Sequence, residues 1–213
     1  MSTPLKAVAI VGNLQKPSKT RALVDLIVET FSDFEQIDAR VIEIGDLIPG
    51  LVTALDRNQV DPVTAKALAA VESADVVIAA SPVFRGSYTG LFKHFFDLVD
   101  QYALANTPVI LAATGVSDRH ALVLDHALRP LFAYFQALTA PVGTQARRGD
   151  RVGSQARDTR TEHRNLHGQP GTLRNRQVGG PYAVASRFRG SHTLPALPEN
   201  GSRLALRLIM HTQ

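Results

Sequence analysis

Cysteine and tryptophan are absent from this chain of 213 residues. Without cysteine, disulfides, thiolate nucleophiles and cysteine-ligated metals are excluded. No run of about 18 apolar residues occurs, so we expect no membrane span. The first residues, Met1–Lys6, lack a signal-peptide pattern and lead directly into an apolar segment. These absences predict a cytoplasmic protein with one globular domain and no membrane partner.

Positive charge is unevenly distributed along the chain. Residues 1–140 carry 11 Lys and Arg against 15 Asp and Glu, whereas residues 141–213 carry 12 Arg, no Lys and four acids. The formal net charge of +4 therefore comes from the C-terminal part. A nucleic-acid-binding domain is usually basic over its own fold, and the arginines of the C-terminal part are scattered. We therefore expect no nucleic-acid partner.

Short apolar runs alternate with helical patterns between residues 5 and 143. The predicted strands are 5–11, 38–44, 75–80, 108–113 and 138–143, the predicted helices are 20–31, 62–73, 88–101 and 119–137, and the stretch 45–60 is predicted as a loop because of Pro49 and Gly50. Such alternation is typical of an α/β fold with a doubly wound parallel sheet, here of five strands. Ligands of these folds bind at the carboxyl ends of the strands.

After about residue 143 the pattern changes. Residues 144–213 form an atypical tail rich in Arg and Gly, with little periodicity before Arg203–Met210. Two interpretations stay open. The tail is a disordered or loosely packed extension, or the coding frame changes near residue 143, since arginine without lysine is typical of GC-rich DNA read out of frame.

The loop after the first strand, Gly12–Thr20, combines polar and basic residues and opens a helix. Backbone N–H groups at a helix N-terminus bind anions. Ser18 and Thr20 add hydroxyl donors, and Lys16 and Lys19 add positive charge. This favours a site for a phosphate monoester, although the spacing matches neither a P-loop nor a dinucleotide fingerprint. The alternative is that Ser18 only caps the helix.

The loop after the third strand reads Ser81-Pro82-Val83-Phe84-Arg85-Gly86-Ser87-Tyr88-Thr89-Gly90. Phe84 and Tyr88 supply flat apolar surface, and Gly86 allows close approach of the backbone. Free backbone amides here suit the polar edge of a planar ring. The alternative is a plain strand-to-helix turn in which Phe84 belongs to the core.

The loop after the fourth strand, Thr114–His120, leaves the same predicted edge of the sheet. It is suited to close over the same ligand, or it is an ordinary turn with Ser117 or Asp118 as helix cap. His120 and His126 are six residues apart and do not share one helical face, so no metal site is predicted.

Taken together, these loops resemble those of the NAD(P)H-dependent FMN reductases, and most closely the subgroup that supplies reduced FMN to sulfonate monooxygenases. The resemblance rests on residues 12–20, 81–94, 112–126 and 128–132 and covers about residues 5–143. It implies a flavodoxin-like FMN-binding domain over residues 1–143. The tail, residues 144–213, has no match in the family pattern.

By this resemblance, Ser18 and Thr20 bind the phosphate of FMN with help from Asn13 and Lys19. The isoalloxazine ring would lie along Pro82, Val83, Phe84, Arg85 and Ser87, and its other edge would be lined by Thr114, Gly115 and Ser117.

The resemblance also implies the reaction. Hydride passes from C4 of NADPH or NADH to N5 of FMN, and reduced FMN leaves for a flavin-dependent monooxygenase. Because the cofactor carries this chemistry, no catalytic side chain is predicted. A homodimer or homotetramer is expected.

Two residues mark special positions within this family pattern. Val116 stands where the subgroup usually has a second glycine, and a β-branched residue would be strained there at positive φ. His126 falls where the family tends to carry one extra residue, which gives a π-bulge at a tetramer interface. An ordinary surface histidine on an α-helix is the alternative for His126. Two other functions stay open: a flavodoxin-like electron carrier, and an inactive homologue with a damaged C-terminus.

Overall fold

The computed structural model describes residues 3–115 and 122–140, together with the backbone of residues 144–147. The strands are β1 (Leu5–Val11), β2 (Ile37–Glu43), β3 (Val76–Pro82), β4 (Pro108–Gly115), β5 (Leu138–Thr139) and β6 (Thr144–Arg147). The helices are α1 (Lys19–Ser32), α2 (Ile44–Leu51), α3 (Pro62–Glu72), α4 (Gly90–Asp97) and α5 (Arg129–Tyr134), with a 3₁₀ turn at Arg57–Gln59 and a π-helix at Leu124–Leu128. None of the helices within these ranges is long and apolar enough to cross a membrane.

The strands form a parallel sheet in the order β2-β1-β3-β4-β5. This is the flavodoxin-like order of doubly wound sheets, so the predicted fold class is confirmed. β6 also pairs in parallel with β4, from Ala112↔Thr144 to Gly115↔Arg147. The sheet therefore extends past the boundary predicted at residue 143. The rest of the predicted tail, including Arg203–Met210, lies outside the described residues.

Capping side chains fix the first residues of α1 and α3. Ser18 precedes α1, and its hydroxyl accepts a hydrogen bond from the backbone N–H of Arg21. Asp61 precedes α3, and its carboxylate accepts from the backbone N–H of Thr64. Hydrogen bonding to Thr64 lowers the pKa of Asp61. A side-chain oxygen at the cap position satisfies N–H groups that have no partner within the helix.

Helix α2 corrects the prediction of a loop over residues 45–60. Pro49 and Gly50 suggested a loop because both residues disfavour a helix interior. The helix forms because Ile44, Leu47 and Leu51 lie on one face and are buried. Removing those side chains from water outweighs the local propensity of Pro49 and Gly50.

Two other helices differ from their predicted lengths. α4 covers Gly90–Asp97 instead of 88–101. It starts later because the Thr89 hydroxyl donates a hydrogen bond to the carbonyl of Gly12, in the loop that follows β1. The predicted helix 119–137 is interrupted, since Leu124–Leu128 is π-helical and only Arg129–Tyr134 is α-helical. The π-bulge expected around His126 is thus confirmed, and residues 119–121 lie outside the described ranges.

Helices pack on both faces of the sheet. On one face, α1 places Leu23 and Val24 against Ile78 of β3 and Ile110 of β4. On the other face, α2, α3, α4 and the π-helix with α5 cover the alternate residues of the same strands. An aromatic cluster fixes α4 against α5: Phe96 lies 5.0 Å from Phe132 and 6.2 Å from Phe135 between ring centroids. Both faces are therefore buried, as a parallel sheet requires.

Candidate functional site

Three chain segments meet at the carboxyl ends of β1, β3 and β4. We call residues 12–18 loop 1 and residues 83–89 loop 2. Loop 2 is joined to β4 by a hydrogen bond from the backbone N–H of Val83 to the carbonyl of Thr114, at 2.9 Å. It is joined to loop 1 by the hydroxyl of Thr89, which donates to the carbonyl of Gly12 at 2.9 Å. The edge predicted to bind the ligand is therefore one continuous structure.

Gly12 packs closely against Ser81 of β3 and Phe92 of α4. A Cβ atom at Gly12 would lie 2.8 Å from Oγ of Ser81 and 2.9 Å from a ring carbon of Phe92. Both neighbours are buried, and Oγ of Ser81 accepts a hydrogen bond from the backbone N–H of Thr89. Only glycine fits at this position without displacing Ser81 or Phe92.

The N-terminus of α1 offers hydrogen-bond donors without a protein acceptor. Within the described ranges, the backbone N–H groups of Lys19 and Thr20 donate to no protein atom, whereas that of Arg21 donates to Ser18. Ser18 is half-buried and Lys19 is exposed. Free N–H groups together with the positive end of the helix dipole suit a phosphate group. Ser18 is thus a helix cap and also borders this donor set.

Thr20 and Thr114 tie the two sides of the site together. Thr20 is 2% exposed, and its hydroxyl oxygen lies 2.7 Å from that of Thr114. Either hydroxyl can donate in this pair, and each has lone pairs to accept a further hydrogen bond. Gly115 is buried beside them at the end of β4. The predicted residues Val116 and Ser117 lie outside the described residues.

Asn13 is buried below loop 1, and both hydrogens of its side-chain amide are used. They donate to Oε2 of Glu43 at 2.7 Å and to the carbonyl of Gln15 at 3.2 Å. The opposite assignment of the amide would place its oxygen against the carboxylate. Oδ1 of Asn13 is buried and accepts no hydrogen bond from the described residues. Asn13 therefore offers a ligand an acceptor, while its amide hydrogens hold loop 1 to β2.

Ion pairs surround loop 1. Lys16 lies 2.8 Å from Asp46 and 3.6 Å from Glu43, and these contacts, the hydrogen bond to Asp46 first, raise the pKa of Lys16. Arg21 donates to Asp25 at 2.8 Å and to Glu43 at 3.0 Å, with the Asp25 hydrogen bond the main cause of its raised pKa. All these cations therefore stay charged at neutral pH.

The middle of loop 2 is a tight turn that exposes Phe84 to solvent. Phe84 and Ser87 form an antiparallel bridge with two backbone hydrogen bonds, at 2.8 and 3.1 Å. Arg85 and Gly86 both have positive φ, at 54° and 84°, as the two central residues of a type I′ turn require. Phe84 is 53% exposed. This position contradicts the alternative in which Phe84 belongs to the core.

The residues present fit FMN in each of its parts. The free N–H groups of Lys19 and Thr20, with the Ser18 hydroxyl and the Lys19 ammonium, match a phosphate. The buried Oδ1 of Asn13 matches a hydroxyl donor, which the ribityl chain of FMN carries. The exposed face of Phe84 matches a flat ring. Pro82 is the last residue of β3, and the backbone N–H of the following Val83 donates to Thr114 of β4.

Sequence reasoning missed two residues of this edge. Glu43 closes β2 and reaches across to Asn13 and Arg21. Thr89 is 1% exposed and bridges the two loops through Gly12 and Ser81. An acid directly after the apolar pair Val41-Ile42, at a strand end, was the signal for Glu43. Thr89 carries no comparable signal, because its role depends on contacts far away in sequence.

The described part of the chain contains no candidate metal site. No group of three or more His, Asp and Glu side chains is placed to hold a metal ion among the described residues. His94 is engaged elsewhere, with its Nε2 2.9 Å from the carbonyl of Leu51. His126 is exposed on the π-helix.

Comparison with known proteins agrees with this geometry. The family model described as NADPH-dependent FMN reductase matches residues 5–149. An FMN reductase (NADPH) of Pseudomonas aeruginosa is 49% identical over 150 residues, which cover 70% of this chain and 81% of that protein. An NADH-dependent FMN reductase, SfnF, of Pseudomonas fluorescens is 50% identical over 150 residues, or 70% of this chain and 80% of that protein.

Among solved structures, an oxidoreductase from Corynebacterium diphtheriae is 38% identical and superimposes with a TM-score of 0.61. The superposition covers 68% of this chain and 83% of that one. The family match extends over the described sheet and all three strand ends at the site, and the chain belongs to the NADPH-dependent FMN reductase family.

Proposed function

We propose that the chain is an NAD(P)H-dependent FMN reductase that acts in the cytoplasm and releases reduced FMN to a flavin-dependent monooxygenase. The observation that carries the proposal is the free donor set at the start of α1 opposite the exposed turn of loop 2. Family membership supports the same chemistry. When bound, FMN supplies N5 as hydride acceptor, and the reduced nicotinamide supplies the hydride from C4.

The residues of this chain bind and orient, and none is assigned a proton to transfer. Ser18, Lys19 and Thr20 would hold the phosphate at the N-terminus of α1. Pro82, Val83, Phe84, Arg85 and Ser87 would border one side of the ring, and Thr114, Gly115 and Ser117 the other. In loop 2 the backbone N–H groups of Arg85 and Gly86 donate to no described residue, so they are free for the polar edge of the ring.

Oxidation of NADPH and NADH by the purified protein tests the proposal. We expect oxidation that requires FMN, continues over many turnovers with substoichiometric protein, and gives reduced FMN that passes through a dialysis membrane. The last property separates a donor of free reduced FMN from an electron carrier. Tight yellow flavin without nicotinamide oxidation would identify the chain as a flavodoxin-like carrier.

An inactive homologue is the second candidate, and the C-terminal part favours it. The family match ends at residue 149, and the following residues are rich in arginine without lysine. The tail was predicted over residues 144–213, and β6 takes up its first four residues. We propose that the rest of it is either a disordered extension or the product of a changed reading frame. The absence of both nicotinamide oxidation and flavin uptake would support the inactive homologue. In the nucleotide sequence, a one-base shift that restores a helix-patterned tail would support the changed frame.

We also propose a homo-oligomer, a homodimer or homotetramer, whose interface includes the π-helix. Tyr134 and Leu122 flank that helix and are 66% and 54% exposed. A groove between α4 and α5 is lined by Tyr134 together with Tyr88 and Phe96. Light scattering on Tyr134→Arg protein should show a smaller particle than the parent, whereas Leu55→Arg, at an even more exposed apolar residue, should leave the mass unchanged.

A further inference from the structure

The carboxylate of Glu43 is a buried negative charge directly behind loop 1, and the proposed function does not use it. Glu43 ends β2 and is 7% exposed. Its oxygens accept from Asn13 at 2.7 Å and from Arg21 at 3.0 Å, and the ammonium of Lys16 lies at 3.6 Å. A buried carboxylate beside a proposed phosphate site opposes a dianion.

The acids around loop 1 pair with two of the three cations in residues 16–21. Lys16 is paired with Asp46 and Glu43, and Arg21 is paired with Asp25 and Glu43. Lys19 has no ion-pair partner within the described ranges. Of the three cations in residues 16–21, Lys19 is therefore the one that an incoming phosphate can bind without breaking an ion pair among the described residues. Glu43 is the acid common to both occupied cations.

We propose that Glu43 sets the affinity of the FMN site: its carboxylate competes with the FMN phosphate for Arg21 and Lys16 and thereby keeps FMN exchangeable. This inference rests on the proposed function. Arg21 is well placed for the competition, because it lies in the first turn of α1 and its backbone N–H already contacts Ser18. Its Nε remains bound to Asp25 when Nη1 is released.

The competing view of Glu43 is that it only organises loop 1 through Asn13. The two roles predict opposite signs. An organising carboxylate strengthens FMN binding, so its neutralisation weakens the complex. A competing carboxylate weakens FMN binding, so its neutralisation strengthens the complex. Glutamine at this position keeps an acceptor for Asn13 and removes the charge, which separates the two roles.

The test compares the dissociation constants of FMN and riboflavin for the full chain, measured by quenching of flavin fluorescence at low salt. Riboflavin lacks the phosphate and is the matched probe. For Glu43→Gln we expect the FMN dissociation constant to fall about three- to tenfold, the effect of removing one unit charge at short range in a partly screened site. The riboflavin constant should stay within about twofold, because no charge on riboflavin senses the change.

An FMN constant that rises or stays unchanged in Glu43→Gln overturns the proposal. Failure of the parent protein to bind FMN would instead refute the proposed function, so the two failures are distinguishable. Adding Glu43→Gln to Arg21→Ala should tighten FMN binding by a smaller factor than Glu43→Gln does in the parent protein, because only Lys16 is then left to be released. A gain of the full size in the double variant contradicts competition through Arg21.

Asp46→Asn is a second variant for the case in which Glu43→Gln does not fold. Asp46 is exposed and holds only Lys16, so its replacement leaves the core untouched. We expect FMN binding at low salt to tighten by about twofold, with riboflavin unchanged. Unchanged or weaker FMN binding in this variant also counts against the proposal.

Discussion

Loop 1 and loop 2 stand at the same edge of the sheet but are held in different ways. Loop 1 is fixed by side chains: the Asn13 amide, the Glu43 carboxylate and the surrounding ion pairs. The tip of loop 2, residues 84–87, is fixed by its backbone, with two positive φ angles and the bridge between Phe84 and Ser87. Its side chains at the tip are exposed.

The difference matches the roles proposed for the two loops. A phosphate needs N–H groups and charges at fixed places, and charged groups in a partly buried site have to be balanced by side chains. A ring needs a flat surface and free amides, which a tight turn provides without any buried polar group. Changes in loop 1 should therefore act through hydrogen bonds and charge, and changes in loop 2 through backbone strain.

The largest effect is expected where the two loops touch. Gly12→Ala adds a Cβ within 3 Å of Ser81 and Phe92, and we expect a loss of about 1–3 kcal/mol in the free energy of unfolding from overpacking. Both FMN and riboflavin binding should weaken, because loop 2 has to move. Denaturant unfolding measures the loss. Gly90→Ala is the control, since no atom lies within 4 Å of its added Cβ. Equal stability of the two variants would show that the loops are not coupled at Gly12.

Backbone strain alone should account for the next effect. Neither Gly86 nor Gly90 has a neighbour within 4 Å of an added Cβ, and only Gly86 has a positive φ. Gly86→Val should lower the free energy of unfolding by about 1–2 kcal/mol more than Gly90→Val. FMN and riboflavin affinities should fall by the same factor, because the turn is proposed to contact the ring that both flavins share. A loss of FMN affinity without a loss of riboflavin affinity would contradict the assignment of loop 2 to the ring.

The hydroxyl pair that joins α1 to β4 should give a smaller loss. Thr20→Val removes the partner of Thr114 in a buried setting, and we expect about 0.5–1.5 kcal/mol of destabilisation. Thr30→Val is the matched control on the same helix, because its hydroxyl is exposed and donates only to the carbonyl of Leu26. Thermal unfolding compares the two. A larger loss of FMN affinity than of riboflavin affinity in Thr20→Val would support a contact between Thr20 and the phosphate.

The smallest effect on stability should come from Lys19. It is exposed and has no ion-pair partner in the described ranges, so Lys19→Ala should change the free energy of unfolding by less than about 0.5 kcal/mol. FMN affinity should fall several-fold while riboflavin affinity holds. Arg85→Ala in loop 2 is the comparison, and it should not discriminate between the two flavins. Equal responses of both variants would remove the distinction between the loops.

The sheet and the positions of its loops were predictable because their signals are local. Apolar runs followed by Gly12 or by Ser81-Pro82 mark strand ends, and the carboxyl ends of parallel strands meet at one edge. Glu43 could not be assigned in the same way, since its partner Asn13 lies 30 residues away. Helix α2 was missed because the breakers Pro49 and Gly50 are visible locally, whereas the burial of Leu47 and Leu51 is not.

The π-helix at Leu124–Leu128 bears on a kind of mutation that ordinary substitutions do not probe. A π-turn holds one residue more than an α-turn, and each residue of an α-helix advances the chain by about 100° around the axis. Leu124 and Leu128 are both buried in the present arrangement. Deletion of the single codon for His126 would convert the π-turn into an α-turn and bring these two leucines to a spacing of three residues, which still places them on one helical face. The π-turn therefore confines a one-residue insertion or deletion to a single turn, where an unbroken α-helix would rotate one of its ends by about 100°.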